Sequence, residues 1–287
     1  MCDEFIHPGL VEDSRLSRRN FGLLTAALAG VSGTALAQSN VVETDISVKT
    51  PDGNCDAVFF HPTGQGSWPA VLVWPDIMGL RPAFRDIGRR LAAQGYAVLV
   101  PNPFYRSAKA PVIGDNFDFN NPEQRNRLMG YRGAMSDSGV DNDAKAYLAF
   151  LDAQPQTNKG RKAGVQGYCM GGALSFRTAA ALPDRIAAVG SFHGGNGLVT
   201  KDANSPHLLI AKSNAAYLVC QARNDDASAP QVKNDLKAAF ASARRTATVD
   251  VYQADHGWCV KGSAVYNEAE AERAWTNLTA LYKTNLA

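Results

Sequence analysis

The sequence predicts an α/β domain with a mostly parallel, doubly wound sheet, and two observations support this fold class. From residue 70 onward, short apolar runs typical of strands alternate regularly with segments of helical periodicity. Several of these runs are apolar throughout, as expected for parallel strands that helices cover on both faces. A chain of 287 residues with 45% hydrophobic content is long enough to bury the large core that such a sheet needs.

Before this alternation begins, the sequence predicts an antiparallel hairpin at one edge of the sheet. Residues 41–49 and 55–61 have the composition of strands, and they flank the turn Pro51-Asp52-Gly53-Asn54. After the hairpin, the predicted strands are residues 70–74, 96–100, a run that ends at residue 166, 186–192, 216–222 and 247–252. The predicted helices are residues 82–94, 140–151, a segment that ends at residue 182, 230–243 and 266–283.

The pattern lapses between residues 107 and 139, in a stretch rich in Asn, Arg and Asp. Ligands of open α/β sheets bind beyond the carboxyl ends of the strands. Long insertions over that edge usually form a lid or a wall of the binding site, and we expect this role for residues 107–139.

The first 37 residues are predicted to be a targeting segment rather than part of the fold. Ser17-Arg18-Arg19-Asn20-Phe21 resembles a twin-arginine export signal, and the apolar stretch that follows is too short for stable membrane insertion. Ala35-Leu36-Ala37 has the small residues that a signal peptidase reads. We therefore expect a precursor that uses the twin-arginine machinery, and one mature catalytic domain, residues 38–287, in the periplasm or otherwise exported.

Composition argues against several classes of partner. The net charge is +2, from 29 basic and 27 acidic residues, so neither nucleic acid nor an anionic surface is an expected partner. The five cysteines form no CxxC pair and show no metal-ligand spacing, and no loop suited to cradling phosphate is present. The sequence therefore predicts no cofactor and no metal, while the pairing of Cys55, Cys220 and Cys259 stays open.

A sharp turn from strand to helix is predicted at Gly167-Tyr168-Cys169-Met170-Gly171-Gly172. Such a turn strains the backbone of its middle residue and needs small residues on either side, which the three glycines supply. The side chain of Cys169 should then be exposed at the start of a helix, where the helix dipole stabilises a thiolate. We interpret Cys169 as a nucleophile; the alternative is a buried structural cysteine in a glycine-rich turn.

A nucleophilic thiol needs a base, and histidine suits neutral pH. His256 follows the last predicted strand, while His193 ends the strand after the turn. The chain order nucleophile, acid, histidine favours His256 over His193. The acid should follow the strand 216–222, where Asp225 and Asp226 are both candidates.

An oxyanion hole needs two backbone N–H groups. Met170, directly after the cysteine, supplies one, and Ile77, in the loop after the strand 70–74, supplies the other. The neighbouring Asp76 is interpreted either as a partner of the thiol or substrate, or as an ordinary turn residue.

These motifs resemble the dienelactone hydrolase family of the α/β-hydrolase superfamily, over about residues 45–285. The sequence from Gly167 to Ala173 matches the family's G-Y-C-x-G-G-x turn, where most relatives of this fold carry serine. The resemblance implies the α/β-hydrolase fold and a carboxylic ester or lactone hydrolase that works through an acyl-enzyme. It assigns Cys169, Asp225 and His256 to a catalytic triad, since the segment from acid to histidine aligns without a gap when Asp225 is the acid. Choosing Asp226 leaves one residue missing but fits Pro230 better.

Two substrate-binding positions bear on specificity. Asp76 stands where the family has a glutamate that partners the thiol, and Arg106 matches an arginine that grips the substrate carboxylate. A second arginine, expected shortly after His256, is missing, so neutral esters should also be substrates. The alternative for Arg106 is a surface position in which it stacks on Tyr105.

Two alternative functions stay open for the whole protein. One is a broader esterase or acyl-thioesterase that uses the same triad, and the other is a redox-sensing or binding protein that kept the fold.

Overall fold

The computed structural model describes residues 40–286, so the predicted targeting segment lies outside the described residues. The strands are β1 (Val41–Thr50), β2 (Gly53–Pro62), β3 (Ala70–Trp74), β4 (Ala97–Pro101), β5 (Ala163–Tyr168), β6 (Ile186–Phe192), β7 (Ala216–Ala222) and β8 (Ala247–Tyr252). The helices are α1 (Pro82–Ala92), α2 (Pro122–Gly133), α3 (Asp137–Ala153), α4 (Met170–Ala181), α5 (Pro206–Leu209), α6 (Arg223–Ser228), α7 (Gln231–Ala243) and α8 (Glu268–Asn285).

The eight strands form one sheet in the order β1-β2-β4-β3-β5-β6-β7-β8. The pairs β1–β2 and β2–β4 are antiparallel, and every other neighbouring pair is parallel. The predicted α/β fold is therefore confirmed, including the antiparallel hairpin at the edge of the sheet. Parallel order from β4 to β8 brings the carboxyl ends of these strands to one edge, where the predicted site residues lie.

Two apolar layers cover the sheet, as the continuous apolar strands predicted. One layer packs Tyr147 of α3 and Phe176 of α4 against the sheet. The other packs Phe84 of α1 and Leu278 of α8 against the opposite face. All residues of β3 are buried, which explains why its sequence lacks the alternation of a half-exposed strand.

The polar stretch 107–139 contains a helix, α2, that the sequence prediction missed. Asn121 caps it by accepting from the N–H groups of Glu123 and Gln124, and Pro122 occupies its first turn. Leu128 is its buried residue, so the helix carries no apolar stripe from which its period could be recognised. In the part of the chain that the structure describes, no helix is long and apolar enough to cross a membrane.

Candidate active site

Cys169 lies at the tip of the predicted turn between β5 and α4, with φ 54° and ψ −119°. A non-glycine residue at positive φ is strained, which agrees with the expected geometry of the turn. A Cβ atom on Gly167 would lie 1.8 Å from the carbonyl oxygen of Gly171, and one on Gly171 would lie 2.5 Å from that of Trp74. The glycines are therefore required because the backbone segments approach too closely for any side chain.

His256 and Asp225 form a buried pair beside this turn. Nδ1 of His256 and Oδ2 of Asp225 are 2.8 Å apart, and both side chains are 3% exposed. Asn224 supports the pair, because its Oδ1 accepts from the backbone N–H groups of His256 at 2.9 Å and Asp225 at 3.0 Å. Cys169 lies close enough to His256 to interact electrostatically with its ring.

Asp226, the rival acid, faces a different neighbour. Its Oδ2 accepts from Nζ of Lys233 at 2.7 Å, at the start of α7. Asp225 and Asp226 both belong to α6, and consecutive helical residues point about 100° apart. The structure therefore brings Asp225 to His256 and directs Asp226 to the surface of the domain.

The environment of His256 favours its charged form. Burial lowers its pKa, but the electrostatic interaction with Cys169 and the hydrogen bond with Asp225 outweigh it and raise the pKa to about 10. A charged imidazole beside a cysteine can stabilise the thiolate form that acts as a nucleophile.

His193 lies beside the same pair but is held in a different way. It is fully buried, and its Nδ1 accepts a hydrogen bond from the backbone N–H of Cys169 at 3.1 Å. Its ring centroid is 4.8 Å from that of His256. Burial and the charge of His256 hold the pKa of His193 well below its usual value, so it is a neutral hydrogen-bond acceptor.

The predicted oxyanion donors come from two segments that are packed together. Met170 is the first residue of α4, and Ile77 lies in the loop between β3 and α1. Gly171 approaches the carbonyl oxygens of Trp74 and Pro75 so closely that a Cβ would lie 2.5 and 2.7 Å from them. This contact fixes the start of the loop against the start of α4.

Asp76 lies in this loop and is paired with an arginine. Its carboxylate accepts two hydrogen bonds from Arg81, at 2.7 and 2.9 Å, and one from the backbone N–H of Met78 at 2.9 Å. Both charged side chains are almost completely buried. Within residues 40–286, Arg81 and Met78 are the hydrogen-bonding partners of this carboxylate, rather than the thiol of Cys169.

Arg106 is engaged by two carboxylates. Its guanidinium donates to Asp52 at 2.6 and 2.9 Å and to the buried Asp143 at 2.7 and 2.9 Å. It also stacks over the ring of Tyr105, 4.5 Å from the centroid. These contacts match the alternative interpretation of a structural arginine, and its role in substrate binding stays a prediction that they do not favour.

The segment in which a second arginine was expected turns away from the pair of His256 and Cys169. Cys259 and Lys261 line a cavity of about 560 Å³ between α1 and α8, and none of the three candidate catalytic residues lines it. Among the described cysteines, Cys55, Cys169, Cys220 and Cys259 are all free thiols. No cluster of possible metal ligands occurs among residues 40–286.

Similarity to known proteins agrees with this fold. The mostly parallel order of the eight strands is that of an α/β-hydrolase-type fold. The sequence profile of the dienelactone hydrolase family matches residues 55–286, and the chain belongs to that family. It is a hydrolase that acts on ester or lactone bonds.

One curated relative matches most of the chain, and another matches about half of it. A putative carboxymethylenebutenolidase of Synechocystis is 25% identical over 229 residues, which are 79% of this chain and 90% of that protein. The carboxymethylenebutenolidase of Pseudomonas sp. strain P51 is 31% identical over 136 residues, 47% of this chain and 54% of that protein.

Solved structures share the fold. The crystal structure of a putative dienelactone hydrolase from Klebsiella pneumoniae has a TM-score of 0.73 at 23% identity, covering 85% of this chain and 98% of that one. The dienelactone hydrolase-like promiscuous phosphotriesterase P91, from metagenomic libraries, has a TM-score of 0.70 at 22% identity, covering 86% of this chain and all of that one.

Proposed function

We propose that the protein hydrolyses carboxylic esters or lactones through an acyl-enzyme on Cys169, with His256 as acid and base and Asp225 as its anchor. The observation that carries this proposal is the arrangement at the turn. Cys169 stands at the start of α4, His256 lies beside it and interacts electrostatically with it, and Asp225 holds Nδ1 of His256 at 2.8 Å.

Acylation begins with attack of the Cys169 thiolate on the carbonyl carbon. The carbonyl oxygen takes up the electron pair and is stabilised by the backbone N–H groups of Met170 and Ile77. When the tetrahedral intermediate collapses, the C–O bond breaks and the imidazolium of His256 gives its proton to the departing alkoxide. In a lactone this alkoxide stays attached to the acyl group, so the ring opens.

Deacylation uses the same groups in reverse. Neutral His256 takes a proton from water, and the resulting hydroxide attacks the thioester carbonyl. The thiolate of Cys169 leaves, which restores the ion pair with His256 and releases the acid. Asp225 fixes the ring orientation and stabilises the imidazolium throughout, without being protonated itself.

Neutral esters and lactones are the proposed substrates, because the arginines near the site are already paired. Arg81 is bound to Asp76 and Arg106 to Asp52 and Asp143. Holding a substrate carboxylate would require breaking a buried ion pair, which leaves an uncompensated charge.

Replacement of the nucleophile tests the mechanism. Cys169→Ala should keep the fold but reduce kcat for an activated ester to less than about a hundredth, because positioning and oxyanion contacts alone supply only a remnant. Cys259→Ala is the matched control, since it removes another free thiol outside the pair of His256 and Asp225. Turnover by Cys169→Ala above that level would exclude the covalent route.

We also propose that the precursor is exported by the twin-arginine route, on the basis of Arg18-Arg19 and the small residues at 35–37. Replacement of both arginines by lysine should retain the precursor in the cytoplasm. Active enzyme that still carries Met1 or Cys2 at its N-terminus would contradict export.

A further inference from the structure

The loop between β3 and α1 carries both an oxyanion donor and a buried ion pair. Asp76 is fully buried and Arg81 is 3% exposed. The guanidinium and the carboxylate face each other in two parallel hydrogen bonds, Nη1 to Oδ1 at 2.7 Å and Nη2 to Oδ2 at 2.9 Å. This bidentate geometry is the most directional form of an ion pair, so it fixes orientation as well as distance.

The pair also holds the backbone of the loop on both sides of Ile77. The carboxylate of Asp76 accepts from the N–H of Met78 at 2.9 Å, and the carbonyl oxygen of Asp76 accepts from the N–H of Gly79 at 2.9 Å. Arg81 donates a further hydrogen bond to the carbonyl oxygen of Gly79 at 3.2 Å. The residue before Ile77 and the residue after it are therefore both fixed.

The start of the loop is fixed against the turn that carries Cys169. Gly171 packs against the carbonyl oxygens of Trp74 and Pro75 with no room for a Cβ atom. The N–H of Ile77 thus lies between a close backbone contact with α4 and a buried ion pair that closes the loop. Its position relative to the N–H of Met170 depends on both.

We propose that Asp76 and Arg81 are positioning residues that hold the N–H of Ile77 in the oxyanion hole. The inference rests on the proposed acyl-enzyme mechanism, in which that N–H stabilises the developing oxyanion. It replaces the resemblance-based expectation that Asp76 is a partner of the thiol. A buried ion pair gains little net stability after desolvation but can specify one conformation, which is the property that an oxyanion donor needs.

Experiment can distinguish a role of Asp76 in positioning the N–H of Ile77 from a direct role at the thiol of Cys169. Hydrolysis of an ester builds negative charge on a carbonyl oxygen and therefore needs the oxyanion hole. Alkylation of Cys169 by iodoacetamide is a displacement at carbon that builds no oxyanion, and it depends on the thiolate and His256 alone. A loop that is out of place should slow the first reaction and leave the second unchanged.

The test uses the double variant Asp76→Asn with Arg81→Met. Asp76→Asn alone removes the carboxylate that faces a buried guanidinium and could unfold the protein, whereas the double variant removes both charges at similar volume. The matched control is Asp152→Asn with Arg185→Met, which removes another bidentate pair (2.6 and 3.1 Å) ahead of the first residue of β6, at the opposite end of that strand from the site.

We expect the double variant to lose about 10- to 100-fold in kcat for an activated neutral ester, with KM little changed, because loss of one oxyanion donor costs about 10²- to 10³-fold and a displaced donor should cost less. Its rate of alkylation at Cys169 should stay within about threefold of the native rate, since that reaction forms no oxyanion. The control variant should match the native protein in both reactions.

Two outcomes overturn the inference. An equal fall in hydrolysis and alkylation would mean that Asp76 acts on the thiol or that the whole site has collapsed, and unchanged hydrolysis would mean that the pair does not position the donor. Failure of the underlying mechanism gives a different result, namely turnover that survives Cys169→Ala.

Discussion

His256 and His193 are neighbouring histidines whose ring centroids are 4.8 Å apart. Their surroundings shift their pKa values in opposite directions. Both are buried, and burial alone lowers the pKa of each. His256 interacts with Cys169 and is hydrogen-bonded through Nδ1 to Asp225, and these partners raise its pKa to about 10. His193 has a backbone N–H on Nδ1 and a charged histidine beside it, and its pKa falls well below 6.5.

The comparison shows that the partners of a buried histidine, and not its burial or its distance from the nucleophile, decide its role. Both rings touch the turn that carries Cys169. Only His256 can give up and take back a proton at Cys169, because only its ring links the thiol to a carboxylate. His193 accepts a hydrogen bond from the backbone N–H of Cys169 and therefore stabilises the conformation of the turn.

The largest expected effect is at His256. His256→Ala should reduce kcat/KM for an activated ester by about 10⁴-fold or more, because both proton transfers lose their carrier. His193→Ala, assayed alongside, should lose no more than about 10-fold, because it removes one neutral hydrogen bond to Cys169. Equal losses in the two variants would show that the base is misassigned.

The second-largest loss of activity is expected when the carboxylate of Asp225 is removed. Asp225→Asn should reduce kcat by about 10²- to 10⁴-fold, because the ring of His256 loses both its orientation and the charge that stabilises the imidazolium. It should also lower the pKa of His256, which makes this histidine more like His193. Asp226→Asn is the matched control and should lose less than about twofold, since its carboxylate pairs with Lys233 at the surface. A larger loss at Asp226 than at Asp225 would reverse the assignment of the acid.

A smaller effect is expected at His193 itself. His193→Asn keeps an acceptor close to the position of Nδ1, whereas His193→Phe keeps a ring and loses the acceptor. The phenylalanine variant should lose roughly 3- to 10-fold in kcat, as for one neutral hydrogen bond of about 0.5–1.5 kcal/mol, and the asparagine variant less. The opposite order would indicate that the ring contact with His256 matters more than the hydrogen bond to Cys169.

The smallest effect concerns stability in acid. The pKa of His193 is lower in the folded protein than in the unfolded chain, so below about pH 6.5 the unfolded chain binds more protons at this position. Its contribution to stability is therefore lost as the pH falls below 6.5. Between pH 6.5 and 4.5 the Tm of the native protein should fall by a few degrees more than that of His193→Phe. Parallel curves for the two proteins would mean that His193 is already charged in the fold.

Most of the sheet could be predicted from the sequence, because buried parallel strands leave continuous apolar runs. β3, β6, β7 and β8 were predicted with the residues that the structure shows. The helices α2 and α6 were not, because each has a single buried residue and therefore no apolar stripe that repeats along the chain. Leu128 and Asp225 are their respective buried residues.

The candidate site was predictable in its residue types but not in its partners. The turn around Cys169 follows from steric demands that glycines reveal, and His256 follows from chain order. Which of two adjacent carboxylates faces His256 depends on the direction in which α6 leaves β7. The pairing of Asp76 with Arg81 was missed because a five-residue spacing in a loop has no periodic signal, although two opposite charges in an otherwise buried loop could have suggested it.

Trapping of the acyl-enzyme is the most direct test of covalent catalysis at Cys169. The native protein is mixed with an activated neutral ester, quenched in acid during the first turnovers and digested for mass spectrometry. One acyl group is expected on the peptide that carries Cys169, and it should disappear as the ester is exhausted; Cys169→Ala should carry no such adduct. Hydrolysis without an adduct, or an adduct on Cys259 instead, would contradict covalent catalysis at Cys169.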